Sequence, residues 1–237
     1  MKEPVLKELA VVMPVYNEAA CIESVVHSWH KTLDEMNINF CIFVLNDGSQ
    51  DATADCLKTF SDRPEIHIIN KTNGGHGPTI LMGYELAVEK AEWVFQVDSD
   101  DEISPIYFRV LWDKRADYHA LFGIRTGRTQ TFGRKIISSI SRNTISLLYG
   151  DGVTDVNVPF RLIRAPLLKQ IINQIPIDTF APNILISGAL IATRCPLFNH
   201  PVEHEGRRTG TVSIAKWRLW KAAARSFWQT IRCRPHT

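Results

Sequence analysis

Short runs of β-forming apolar residues at 9–14, 40–45, 66–69 and 93–97 alternate with stretches of helical periodicity, and a further run covers 119–124. No other feature narrows the fold as much. Strands joined through helices form right-handed crossover units, and such units build a mostly parallel sheet flanked by helices. The chain is therefore expected to be an α/β protein with a Rossmann-like central sheet. Asn17 and Glu18 open the first helix, which runs to about Met36 with apolar positions at Ile22, Val25, Val26, Trp29 and Leu33. That spacing marks one face of a helix. Ser49 or Asp51 caps a second helix reaching Phe60, a third covers about 79–90, and Ser104-Pro105 starts a fourth because proline suits a first helical turn.

Polar clusters follow Pro14, Leu45 and Val97. In a parallel sheet these positions share one edge, and ligands bind outside the carboxyl ends of the strands. Three loops converging there predict a nucleotide-type site. The loop NGGHGP at 73–78 adds backbone N–H groups at the start of a helix, a phosphate or ribose cradle or else a plain turn. It is not a GxGxxG fingerprint, and no Walker A sequence occurs.

The cluster after Val97 is the most acidic, with Asp98, Asp100, Asp101 and Glu102 within five residues. Their mutual repulsion calls for solvation or a cation. Carboxylates at i and i+2 on a strand end are hard oxygen ligands that suit Mg²⁺ or Mn²⁺ together with substrate phosphates. The alternative is a solvated turn at a helix N-terminus. The position after the fourth strand favours the metal.

Residues 1–124 carry 10 Lys+Arg against 20 Asp+Glu, whereas residues 125–237 carry 17 against 5. An acidic first half and a basic second half imply different partners for each. A helix at about 133–149 places Arg134, Ser138, Ser141 and Arg142 in one sector, opposite Ile136, Ile137, Ile140, Leu147 and Leu148. Residues 155–163 read as a strand or extended segment and 182–193 as helical. Five cysteines without CxxC spacing (Cys21, Cys41, Cys56, Cys195 and Cys233) imply neither a disulfide framework nor a zinc site. No apolar run is long enough to span a membrane, and the first residues lack signal-peptide shape, so the chain is expected to stay in the cytoplasm.

The segments VVMPVYNEAACIESVV, FVLNDGSQDATADCL, NGGHGPTILMGYELA and QVDSDDEI, in that order, resemble the family 2 glycosyltransferases of GT-A fold. The resemblance implies that Pro14, Tyr16, Asn17 and Glu18 line the nucleotide pocket, with Asp47 at the base and Gly75 and His76 nearby. It places Asp98 and Asp100 on the metal and diphosphate. Glu102 falls where a further metal ligand, usually glutamine, is expected, and Asp101 replaces a common leucine. The segment from Gly123 to Arg164, which includes Asp155, Asn157, Phe160 and Arg161, is similar to the polyprenyl-phosphate branch of dolichol-phosphate mannose synthases and their bacterial relatives. There Arg125, Arg134 and Ser138 meet the acceptor phosphate, so the implied catalytic set is Asp100, Arg125, Arg134 and Ser138. Arginine forks suit that task independently.

The resemblance covers about residues 9–210, read as one GT-A domain over 1–210 with a nucleotide-sugar half (1–124) and an acceptor half (125–210). In HPVEHEGRRTG, the resemblance implies a loop closing over the donor with Arg207 and Arg208 at the diphosphate; His204 reads as an exposed histidine in preference to a catalytic base. Residues 211–237 read as a basic amphipathic helix with Trp217, Trp220, Phe227 and Trp228 along one face. It lies in a membrane interface or packs on the domain. Together these expectations describe an inverting, metal-dependent transfer from a UDP- or GDP-linked sugar to a polyprenyl phosphate. The protein would sit peripherally on the cytoplasmic face of a membrane and bind no nucleic acid. Transfer to a saccharide hydroxyl, with Asp155 as base, and non-catalytic nucleotide-sugar binding are the alternatives.

Overall fold

The computed structural model describes residues 6–127 and 132–204, with the backbone alone for 132–138, 140 and 141. In chain order the elements are β1 (Lys7–Val15), α1 (Ile22–Glu35), β2 (Phe40–Asp47), α2 (Thr53–Leu57), β3 (Ile66–Lys71), α3 (His76–Val88), β4 (Ala91–Val97), α4 (Phe108–Lys114), β5 (Ala120–Thr126), α5 (Phe132–Tyr149), β6 (Phe160–Arg164), α6 (Ala165–Ile172), α7 (Pro182–Ala192) and β7 (Leu197–Glu203). Short 3₁₀ turns extend α2 through Phe60 and precede α4.

The strands form one sheet in the order β3-β2-β1-β4-β6-β5-β7. β1 pairs in parallel with β2 and β4, and β2 with β3. β6 runs antiparallel between β4 and β5, and β7 is parallel to β5. The expected mostly parallel α/β sheet is thus present with one reversed strand. β1 and β2 are apolar on both faces because helices cover both, as their near-continuous burial shows.

α1 buries Ile22, Val25, Val26, Trp29 and Leu33. Trp29 packs on Phe95 at 5.2 Å, Phe108 at 6.0 Å and Phe160 at 6.1 Å between ring centroids. One aromatic cluster therefore ties α1, β4, α4 and β6 together. Removing a member such as Phe95 costs about 3–5 kcal/mol. This packing rigidifies β4, whose end carries the acidic cluster.

The extended segment expected at 155–163 divides into a turn, closed by Val158 N donating to Asp155 O at 3.2 Å, and β6. Two elements were not anticipated. α6 is only a short apolar run. β7 carries Asn199, His200 and Pro201, a polar composition that reads as loop; proline is tolerated there because β7 is an edge strand. Residues 200–203 are consequently strand rather than the start of a closing loop.

Candidate functional site

The loops after β1 and β2 are laced together. Asn17 adopts a left-handed backbone, φ 55°, which a non-glycine residue takes at some energetic cost. It is held there by its N–H to Ser49 Oγ at 3.0 Å and by Gln50 N donating to its Oδ1 at 2.8 Å. Glu18 N donates to Thr53 Oγ1 at 2.9 Å and Ala19 N to Asp51 Oδ2 at 3.2 Å. Glu18 is buried and Tyr16 half-buried, beside Pro14 at the end of β1.

Asp47 ends β2, and both of its carboxylate oxygens already have protein donors. Gly74 N reaches Oδ1 at 2.8 Å and Gly75 N reaches Oδ2 at 2.9 Å, while Lys71 Nζ ion-pairs with Oδ1. Burial pushes this carboxyl upward, but the Lys71 ammonium and the Gly74 N–H outweigh it and hold it below the usual range. The N–H groups expected to cradle phosphate therefore point at Asp47. Gly75 opens α3 with φ 89°, a conformation suited to glycine. At Gly77 a Cβ would lie 2.0 Å from Thr179 O, so only glycine admits the backbone at 179–180 beside the start of α3. His76 Nε2 stands 3.8 Å from Asp98 Oδ1, linking α3 to the end of β4.

Asp98 Oδ1 is buried without a hydrogen-bond partner among the described residues. Burial raises its carboxyl to about 7, against the lowering influence of Arg125 and Arg161. Asp100 Oδ1 accepts from Glu102 N at 3.3 Å, and Asp101 turns the chain at φ 57°. Glu102 Oε2 lies 2.7 Å from His204 Nε2. His204 is thus not an exposed histidine: its side chain is 6% accessible, and its N–H donates to Thr126 O. The residue after β7 is thereby fastened to the acidic turn after β4.

Among the described residues, no three His, Cys, Asp or Glu groups converge as a closed metal site. A buried carboxylate oxygen without a hydrogen-bond donor, and with only the 3.8 Å contact to His76, nevertheless fits a cation. Sites of the Mg²⁺ or Mn²⁺ kind use one or two carboxylates and complete their shell with water and substrate phosphate. Asp98 and Asp100 match that open donor set.

Arg125, at the end of β5, donates from Nε to Asp155 Oδ2 at 2.8 Å and from Nη2 to Asp155 Oδ1 at 3.0 Å. Burial opposes its charge, but Asp155, Asp98 and Glu102 more than compensate and raise its pKa. Arg134 and Ser138 lie on the helical backbone of α5, as expected, while their side chains are outside the described set; Arg142 is exposed. Arg207, Arg208 and the helix expected at 213–232 lie outside the described residues. Lys71, His204 and the fully buried Arg161 were not singled out from the sequence for the positions they take. Arg161 was named in the resemblance over 123–164, but its buried position had no signal beyond a lone charged residue in an apolar strand.

The family model described as glycosyl transferase family 2 matches residues 10–172. Undecaprenyl-phosphate 4-deoxy-4-formamido-L-arabinose transferase of Edwardsiella ictaluri is 24% identical over 211 residues, covering 87% of this chain and 64% of that protein. The protein of the same name from Erwinia tasmaniensis is 24% identical over 219 residues, covering 90% and 66%. This chain thus spans somewhat less than two thirds of these relatives. Glucosyl-3-phosphoglycerate synthase from Mycobacterium tuberculosis, solved with Mn²⁺, UDP and glucosyl-3-phosphoglycerate, superposes with a TM-score of 0.70 at 16% identity over 98% of this chain and 82% of that one. Mannosyl-3-phosphoglycerate synthase from Rubrobacter xylanophilus gives 0.67 at 13% identity over 95% and 73%. The sheet order and flanking helices are those of the GT-A fold, and the chain belongs to glycosyl transferase family 2.

Proposed function

We propose that this chain transfers a sugar, with inversion, from a nucleoside-diphosphate sugar to a polyprenyl phosphate at the cytoplasmic face of a membrane. The observation that carries the reading is the Arg125–Asp155 pair. Arg125 is fixed at a strand end beside the acidic cluster, and the nearby carboxylate that would serve a hydroxyl acceptor as base has both oxygens on that guanidinium. The names of the similar transferases, which specify undecaprenyl phosphate, support the acceptor. The neighbour solved with Mn²⁺ and UDP supports the donor class and a divalent cation.

Residues 14–18 and the Asp47-anchored loop form the nucleotide wall, and Asp98 and Asp100 would hold the cation. When bound, a divalent cation offsets charge on the donor diphosphate and improves it as a leaving group. Arg125, with Arg134 and Ser138 from α5, orients the acceptor phosphate. A phosphate is substantially ionised near neutrality, with a second pKa of about 6, so it requires positioning and charge neutralisation rather than a base. Its oxygen bonds to the anomeric carbon as the bond from that carbon to the diphosphate breaks, and the nucleoside diphosphate departs with the electron pair. Arg207, which lies outside the described residues, is assigned to the diphosphate on the resemblance alone. The basic aromatic segment at 211–237 holds the chain at the membrane surface.

A panel of UDP- and GDP-sugars with Mn²⁺, with and without undecaprenyl phosphate, tests this by released nucleoside diphosphate. Release that requires the lipid is expected with one donor. Donor binding without lipid-dependent release contradicts the acceptor assignment.

A further inference from the structure

Arg161 lies on β6 opposite Gln96 of β4 and Phe122 of β5, and none of its surface reaches solvent. A buried guanidinium is expected to face a carboxylate. Among the described residues this one forms no ion pair. Its donors go elsewhere: Nε to Val158 O at 2.8 Å, Nη2 to Val156 O at 3.2 Å, and Nη1 to Asn183 O at 3.1 Å and Ser187 Oγ at 3.4 Å. Ser187 Oγ also donates to Val156 O, at 2.8 Å. The guanidinium carbon sits 5.5 Å from the centre of the Phe122 ring. Burial lowers its pKa to about 10, which leaves it cationic at neutral pH.

Two of the three carbonyls it holds belong to the turn at 155–158, and the third starts α7. Asp155 opens that turn and grips Arg125 with both oxygens. A chain of contacts therefore runs from the buried guanidinium through the turn to Arg125. Only a planar fork reaches carbonyls on two separate elements; an ammonium keeps the charge but not the fork.

We infer that Arg161 is a positioning residue that clamps the turn at 155–158, so that Asp155 presents Arg125 in one orientation to the acceptor. The clamp itself is independent of the proposed acceptor, whereas its kinetic consequence rests on that reading.

Hydrogen exchange on the full chain reads the clamp directly. In folded Arg161→Lys, amides at 154–158 exchange about tenfold faster while those of α1 and β2 are unchanged, because buried carbonyls lose their partners. Ser187→Ala, a milder change, gives a smaller acceleration in the same segment and covers the case in which Arg161→Lys does not fold. Unchanged exchange at 154–158 in either folded variant overturns the inference. Kinetics supply the second readout. Arg161→Lys is expected to raise the KM for undecaprenyl phosphate about tenfold with little change in donor KM, and to add nothing to an Arg125→Lys variant, since the two act as one unit. Equal effects on both substrates, or additive losses, contradict it. Absence of lipid-dependent release by the unaltered protein would count against the proposed acceptor and leave the exchange result to decide the clamp.

Discussion

His204 Nε2 meets Glu102 Oε2 at 2.7 Å, joining the residue that follows the edge strand β7 to the acidic turn that follows β4. Glu102 is therefore occupied from the protein side, in contrast to Asp98, whose buried Oδ1 has no hydrogen-bond partner among the described residues and only a 3.8 Å contact to His76 Nε2. If Asp98 and Asp100 carry the cation and Glu102 acts through its histidine, the three carboxylates differ in weight. Glu102→Gln should weaken Mn²⁺ affinity in the presence of UDP by about tenfold, the scale of an outer-shell change. Asp100→Asn should weaken it much more. Counting free Mn²⁺ by electron paramagnetic resonance separates the two; equal losses would make Glu102 a ligand of the same rank.

Asp98 gives a prediction with a definite sign. Its carboxyl is raised from 3.8 to about 7 in the folded chain, chiefly by burial, so the folded state binds its proton more tightly than the unfolded state does. The associated stability is fully present below pH 3.8 and is lost as pH rises through about 7. Without metal, Asp98→Asn should be more stable than the unaltered protein at pH 8. That advantage should fade toward pH 4. Urea midpoints at the two pH values give the comparison.

Asp47 behaves in the opposite sense. The Asp47 carboxyl is lowered in the folded chain, so its contribution is present above 3.8 and is lost on acidification. Lys71→Met leaves a buried carboxylate without its ammonium, a loss of about 3 kcal/mol at neutral pH. The difference should shrink as the medium is acidified and Asp47 protonates. Denaturant titrations along a pH series measure it, and a constant difference would show that Lys71 acts by packing alone.

Asp155→Asn distinguishes positioning from proton removal. A general base contributes about 10²–10⁴-fold to turnover, so its loss would appear in kcat. With Asp155 acting as the anchor of Arg125, the asparagine variant should instead raise the KM for the acceptor, with kcat changed only a few-fold. Steady-state kinetics over acceptor concentration decides it.

The strands of the first half were legible because their signals are local. Apolar runs at 9–14 and 40–45 can hardly be anything but buried strands, and the polar clusters behind them inherit their place from the topology. The family that those motifs resemble is the one whose model matches residues 10–172. Side-chain partnerships were not legible, because they join residues far apart in sequence. Glu102 and His204 are separated by 102 positions, and Arg125 and Asp155 by 30. Asp47 could be read as a site residue, but not as one surrounded by Lys71 and the amides of 74 and 75. β7 was missed for a related reason: an edge strand with a proline and a histidine has no apolar period, and only its pairing with β5 makes it a strand.

An acceptor phosphate oriented by Arg125 and its neighbours makes the phosphate group of the lipid indispensable. The most direct measurement compares nucleoside diphosphate release with undecaprenyl phosphate and with undecaprenol of the same chain length, under identical detergent and Mn²⁺. The account predicts release with the phosphate and background with the alcohol. Comparable release with both would contradict it and return Asp155 to the role of base.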